Sequence, residues 1–201
     1  MNRTSALGTA ILFGLTALAC GGGEQGEVQT SQAQGTQQPA SQPAAQPASG
    51  GDVSNPDWFE YDEASNTVTM EITAGLTSDN NAWNFNGFFG GEGEILVPEG
   101  ATVTINFVND DPNMAHSIGV DERTSNFPAS FGSPTPAFEG GISSNPTSMT
   151  ESTMPGESET ITFTAESAGE YSLVCYVPGH AAVGMYVFLT VTTDGTAGVR
   201  E

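Results

Sequence analysis

The chain has 201 residues, of which 24 are Asp or Glu and 3 are Arg (Arg3, Arg123 and Arg200), with no lysine, for a formal net charge of −21. That balance excludes a nucleic-acid binder, which needs clustered Lys and Arg to neutralise phosphate, and argues against docking on anionic lipid through a basic patch. Two His and two Cys leave ligands for one small metal site, which excludes a multicopper enzyme or a zinc-ribbon array.

At the N-terminus a single cation, Arg3, precedes an uncharged run from Ala6 to Ala19. Residues 1–19 therefore read as an export signal, shorter than the roughly 20 residues of a comfortable membrane span. Thr16-Ala17-Leu18-Ala19-Cys20 resembles the bacterial lipobox, in which the Cys is lipidated and becomes the mature N-terminus, although Ala17 stands where Leu is usual. An ordinary cleaved signal with an incidental Cys is the alternative. Removing residues 1–19 leaves 24 acids against 2 arginines, a formal charge of −22. Residues 20–56 are rich in Gly, Gln, Ser, Ala and Pro, with almost nothing to bury, and read as a disordered linker. Such a spacer has an r.m.s. span of roughly 30–36 Å, enough to leave a tethered domain free to sample partners.

From residue 57 to about 195 the chain becomes short β-branched and aromatic runs separated by Gly, Pro, Asn and Asp, and residues 196–201 read as a short tail. Thr67–Thr73 alternates with period two, as a half-buried strand does. The further expected strands are Trp83–Phe88, Glu94–Val97, Thr102–Val108, Ala115–Val120, Glu159–Ala165, Glu170–Tyr176 and Met185–Thr192. Short strands at this spacing, with no sustained 3.6-residue apolar period, predict an all-β fold, an antiparallel sandwich or barrel. Residues 121–158 interrupt the pattern with a Ser-, Pro-, Gly- and Thr-rich excursion. Phe127, Phe131 and Phe138 are spaced to pin it onto the sandwich, with a short helical turn expected within it.

The chemistry concentrates in Cys175-Tyr176-Val177-Pro178-Gly179-His180-Ala181-Ala182-Val183-Gly184-Met185, which has Cys-x4-His-x4-Met spacing. A fourth ligand, His116, lies 59 residues upstream of Cys175, in or beside another strand. Two imidazoles, a thiolate and a thioether suit copper, and a His2Cys plane with a weak axial Met is the arrangement of blue-copper electron-transfer sites. Zinc sites rarely recruit Met. Taken singly, Cys175 reads as a buried small hydrophobe, His180 as a turn residue and Met185 as core. Jointly, the only two His and the only Cys outside the signal are accounted for by one metal site.

The domain resembles the cupredoxins and, within them, is most similar to the sulfocyanins. The resemblance lies in Trp83-Asn84-Phe85-Asn86-Gly87, close to that family's Phe-Asn-Phe-Asn-Gly signature, and in the Cys-x4-His-x4-Met loop. Glu94–Val103 and the Ala168–Cys175 approach to the thiol add to it. It implies a cupredoxin-like antiparallel Greek-key β-sandwich over about residues 65–192. It also implies one type 1 copper bound by His116, Cys175 and His180 with Met185 axial, and electron exchange through the solvent-facing edge of His180. Cupredoxins commonly have Asn directly after the first His, to tie two ligand loops together; here the residue is the shorter Ser117. Met114 is a second nearby thioether, poorly placed as an axial ligand by its position two residues before His116.

The expectation is a monomeric one-electron carrier, not an enzyme, held outside the cytoplasmic membrane by a lipid on Cys20. It would exchange electrons with a cytochrome or a terminal oxidase-type partner through an apolar rim formed by Pro178, Ala181, Ala182 and Val183. A copper chaperone or scavenger and a metal-free adhesive β-sandwich are the competing readings. Abundant acid without lysine further suggests a salty environment.

Overall fold

The computed structural model describes residues 51–201, so the expected signal at 1–19, Cys20 and most of the 20–56 linker lie outside the described residues. Ten strands are present: β1 (Val53–Ser54), β2 (Phe59–Asp62), β3 (Thr67–Ala74), β4 (Glu94–Pro98), β5 (Thr102–Asn109), β6 (Gly119–Glu122), β7 (Ser158–Thr164), β8 (Gly169–Val174), β9 (Tyr186–Thr192) and β10 (Gly198–Arg200). They form one sheet in the order β1-β10-β4-β9-β8-β6 and a second in the order β2-β3-β5-β7.

Alternation decides which faces meet. Along β5, Val103, Ile105 and Phe107 are buried between more exposed Thr102, Thr104 and Asn106, and β3 buries Val68, Met70 and Ile72 in the same way. These side chains join Val187, Leu189 and Val191 of β9 in one core cluster between the sheets. Fully burying side chains of this size stabilises the fold by about 1.5–3 kcal/mol each.

The all-β sandwich expected from the sequence is present, but its sheets are mixed rather than purely antiparallel. β3 runs parallel to β5 (Thr67↔Thr102 through Ala74↔Asn109), and β4 runs parallel to β9 (Glu94↔Phe188 through Pro98↔Thr192). Parallel neighbours need a crossover, and the chain supplies one by visiting the other sheet between them: β4 intervenes between β3 and β5.

The folded region also extends past both expected boundaries. β1 falls in the stretch read as linker and β10 in the stretch read as tail, yet they pair with each other (Val53↔Arg200) and β10 pairs with β4. Two- and three-residue strands are too short to show a period; their partners, not their patterns, define them.

Trp83–Phe88, expected as a strand, is a loop. Asn80, Asn81 and Ala82 have φ of 49°, 62° and 63°, Asn86 follows at 52°, and Phe85 makes only isolated bridges, to Ala74 and Phe88. The 121–158 excursion is ordered and non-helical. Its three phenylalanines pin it as expected: Phe127 against Tyr186 (5.0 Å between centroids), Phe131 edge-on to Tyr176 (4.8 Å) and Phe138 stacked on Phe163 (5.5 Å). It thereby covers the outer face of β9, where Tyr186 and Phe188 are buried. At Gly119 the approach is so close that a Cβ would lie 2.7 Å from the Tyr176 ring and 3.0 Å from Ile142.

Candidate metal centre

His116, Cys175 and His180 converge. Cys175 Sγ lies 3.9 Å from His116 Nδ1 and 3.5 Å from His180 Nδ1, and the two Nδ1 atoms are 3.1 Å apart. All three side chains are buried, at 0%, 0% and 1% exposure for His116, Cys175 and His180.

The positions follow from the local chain. Cys175 continues β8, and its N–H donates to the Met185 carbonyl (3.1 Å) just before β9. Between these strands the loop folds back: the Met185 N–H donates to the His180 carbonyl (2.9 Å), His180 to that of Val177 (3.1 Å), and Gly184 makes the reversal with φ of 108°. This places Met185, 0% exposed, beside both Cys175 and His180 along the chain's hydrogen-bonded path. The excursion clamps the same loop through Gly179 N–H to the Ala129 carbonyl (2.7 Å). It also holds the first histidine, whose N–H donates to the Thr153 carbonyl (3.0 Å). Asn109 Nδ2 braces that region by donating to the carbonyls of Met114 and Thr153, both at 2.8 Å.

Ser117, shorter than the expected Asn, still ties the two ligand segments together. Its N–H points at Cys175 Sγ (3.4 Å), its hydroxyl lies 3.7 Å from the same sulfur, and Tyr176 N–H donates to Ser117 Oγ (2.8 Å).

Asp111 escaped the sequence reading. It is 2% exposed, and its Oδ2 lies 3.0 Å from His116 Nε2 while Oδ1 accepts the Asn113 N–H (2.8 Å). The carboxylate accepts from Nε2–H, which fixes the tautomer of His116 and leaves Nδ1 with a free lone pair facing the sulfur. The only sequence signal is an acid five residues before the histidine, one of 24 acids in the chain.

His180 corrects an expectation. Its imidazole has no solvent-facing edge: it is 1% exposed and covered by the indole of Trp83, stacked at 4.1 Å between centroids with an interplanar angle of 18°. Within the expected rim, Ala181 is buried at 2%, whereas Pro178, Ala182 and Val183 are exposed.

Burial sets the protonation states. It pushes the Cys175 thiol up to about 11, against hydrogen bonds from Ser117 and Val177. It pulls His180 down to about 4, helped by the neighbouring His116. His116 is also lowered by burial, with Asp111 opposing.

A metal ion fits this donor set. An ion bonded to two imidazole nitrogens at roughly 2.0–2.1 Å and a thiolate at roughly 2.3 Å holds those atoms roughly 3.5–3.8 Å apart in a trigonal plane. The observed edges of 3.1, 3.5 and 3.9 Å bracket that range. One soft sulfur and two imidazoles, sealed from water, are chemistry suited to copper.

The family model of the sulfocyanin (SoxE) domain matches residues 55–199. Sulfocyanin from Sulfolobus acidocaldarius is 30% identical over 142 residues, covering 68% of this chain and 69% of that protein. Among solved structures, dithionite-reduced auracyanin from Roseiflexus castenholzii is 29% identical with a TM-score of 0.41, covering 62% of this chain and 96% of its own. Rusticyanin is 24% identical with a TM-score of 0.41, covering 68% and 88%.

Proposed function

The chain belongs to the sulfocyanin family, blue copper proteins of the cupredoxin fold that bind one copper, and on that premise we propose that it is a one-electron carrier with a mononuclear type 1 site. The observation that carries the reading is the meeting of His116 Nδ1, His180 Nδ1 and Cys175 Sγ in a buried triangle. These three residues would hold the copper, with the buried Met185 offering its thioether as a further, weaker ligand. Copper bound there supplies one-electron redox chemistry by alternating between Cu(II) and Cu(I).

The remaining work belongs to the chain. Asp111 holds the His116 ring in the tautomer that turns Nδ1 inward. Ser117 donates its N–H toward Cys175 Sγ and stabilises negative charge on the sulfur. The core and the 121–158 excursion exclude water and fix the ligand segments through backbone hydrogen bonds. A scaffold that holds its ligands in this way changes little between oxidation states, which keeps reorganisation small. Full burial of the ligands favours a carrier over a copper scavenger or chaperone, which hands its ion on from exposed groups.

The carrier acts outside the cytoplasmic membrane as a monomer, tethered through a lipid on Cys20 and the 20–56 linker, with a cytochrome or terminal oxidase-type protein as donor or acceptor. It is not an enzyme. Cu(II) added to the purified protein is expected to give an intense thiolate-to-copper visible band. Cys175→Ser abolishes that band, and Met185→Leu keeps it with a raised reduction potential. A band that survives Cys175→Ser overturns the assignment.

A further inference from the structure

A buried ligand histidine leaves open how an electron reaches the surface. His180 is 1% exposed, and the group lying on it is Trp83, which is itself half-buried and so reaches solvent where the imidazole does not. The loop that presents Trp83 is strained to do so. Three consecutive non-glycine residues, Asn80, Asn81 and Ala82, have left-handed φ, and Ala82 at 63° has no side-chain hydrogen bond to compensate. Side-chain amides hold the arrangement. Asn80 Nδ2 donates to the Trp83 carbonyl (2.8 Å), and buried Asn84 donates to the carbonyls of Thr77 and Asp79, both at 2.9 Å. The loop also lies against the ligand loop, since a Cβ on Gly184 would meet Asn80 Nδ2 at 3.6 Å. Strain of this kind persists where the placement of one side chain matters.

We propose that Trp83 is the contact through which a redox partner exchanges electrons with the copper site, its indole face extending the His180 imidazole to the surface. This rests on the type 1 copper reading above. In the oxidative half one electron leaves the reduced centre through His180 and Trp83 to a one-electron acceptor, which is reduced by one. No bond forms or breaks. No proton moves either, because the buried Trp83 Nε1–H has no acceptor among the described residues. The ring therefore serves through its π face and not through its N–H, so phenylalanine is an adequate substitute.

The test uses the copper-loaded full chain and stopped-flow oxidation by tris(1,10-phenanthroline)cobalt(III), a cationic aromatic one-electron oxidant that the acidic surface attracts. A wild-type protein without the visible thiolate band fails the copper reading itself, whatever Trp83 does. With the band present, Trp83→Leu is expected to keep it but to slow oxidation about tenfold or more, and Trp83→Phe to restore the rate to within about threefold. A Trp83→Leu rate equal to or above wild type overturns the proposal, because the indole would then be an insulating lid. Trp83→Met, close to Leu in volume but unbranched and without a π face, replaces the Leu variant if that one does not load, with the same two outcomes. In a Trp58→Phe background Trp83 is the sole indole, and copper uptake is expected to quench its fluorescence strongly. Unchanged emission would also overturn the proposal.

Discussion

Asp111 is the charged neighbour of the ligand set, a carboxylate at 2% exposure on His116 Nε2. An anion one imidazole away from the ion stabilises the more positive oxidation state. With an effective dielectric of about 20 its contribution is about 1–2 kcal/mol, or roughly 50–100 mV for one electron. Asp111→Asn is therefore expected to raise the reduction potential by that amount in protein-film voltammetry; a lowered or unmoved potential contradicts the assignment. Protonation supplies a second prediction. Before metal uptake at pH 7, Cys175, pushed up to about 11, holds its proton, while His180, near 4, is already neutral and His116 is lowered as well. Binding one Cu(II) in weakly buffered solution should then release one proton, from Cys175. Release of none or of two would contradict these states. The convergence of the proposed ligands His116, Cys175 and His180 was legible in the sequence because they exhaust its histidines and non-signal cysteine. Asp111 was not, because its role depends on burial and nothing in an acid-rich chain distinguishes one carboxylate from the rest. Ser117 was legible as a departure from the expected Asn, but only the hydrogen bonds to Cys175 and Tyr176 show that a hydroxyl suffices.

Among the elements, the loop carrying Trp83 and the 121–158 excursion do more for the centre than most of the strands. Aromatic spacing read Trp83–Phe88 as a strand, yet the asparagines at 80, 81, 84 and 86 were the better signal, since Asn tolerates left-handed φ and competes for backbone hydrogen bonds. The excursion was readable from its phenylalanines, whereas its backbone grip on His116 and Gly179 depends on pairings between residues far apart in sequence. The same holds for the parallel ladders and for β10. At that edge Glu94 of β4, 5% exposed, gathers Arg123 (3.1 Å), Arg200 and the Thr190 hydroxyl (2.7 Å), while Arg123 also lies 3.7 Å above the Phe188 ring. Burial alone would raise this carboxyl, but the Thr190 hydroxyl and the two guanidiniums outweigh it and hold it below its ordinary value. Glu94→Ala leaves Arg200 without a carboxylate and Arg123 with only the exposed Glu170 (3.1 Å), and is expected to cost about 3 kcal/mol, the low end for a buried pair because both arginines reach some solvent. Urea unfolding of the metal-free protein reads this directly, and a loss below about 1 kcal/mol would show that the cluster is incidental.

For the whole molecule, Arg123 and Arg200 are the only basic side chains (Lys or Arg) among the described residues, and both are engaged at Glu94. Arg123 also meets the exposed Glu170 (3.1 Å), and the remaining acids among the described residues have no Lys or Arg counter-charge. Self-repulsion at a formal charge of −21 destabilises the compact state at low salt. The denaturant midpoint is expected to rise from millimolar to molar NaCl, where the screening length shrinks to about 3 Å. A midpoint independent of salt would remove the case for a salty environment. Under such screening, long-range steering weakens and partner docking depends on short-range contact, which increases the weight carried by an aromatic face such as that of Trp83. No helix among the described residues is long and apolar enough to cross a membrane. The claim on which all of this depends is that two imidazoles and one thiolate bind a single copper ion in a buried trigonal plane. Electron paramagnetic resonance of the Cu(II)-loaded chain tests it most directly. One copper per chain with the narrow hyperfine splitting of a strongly covalent copper–thiolate bond is the predicted result. A wide splitting typical of tetragonal nitrogen and oxygen ligation would contradict it.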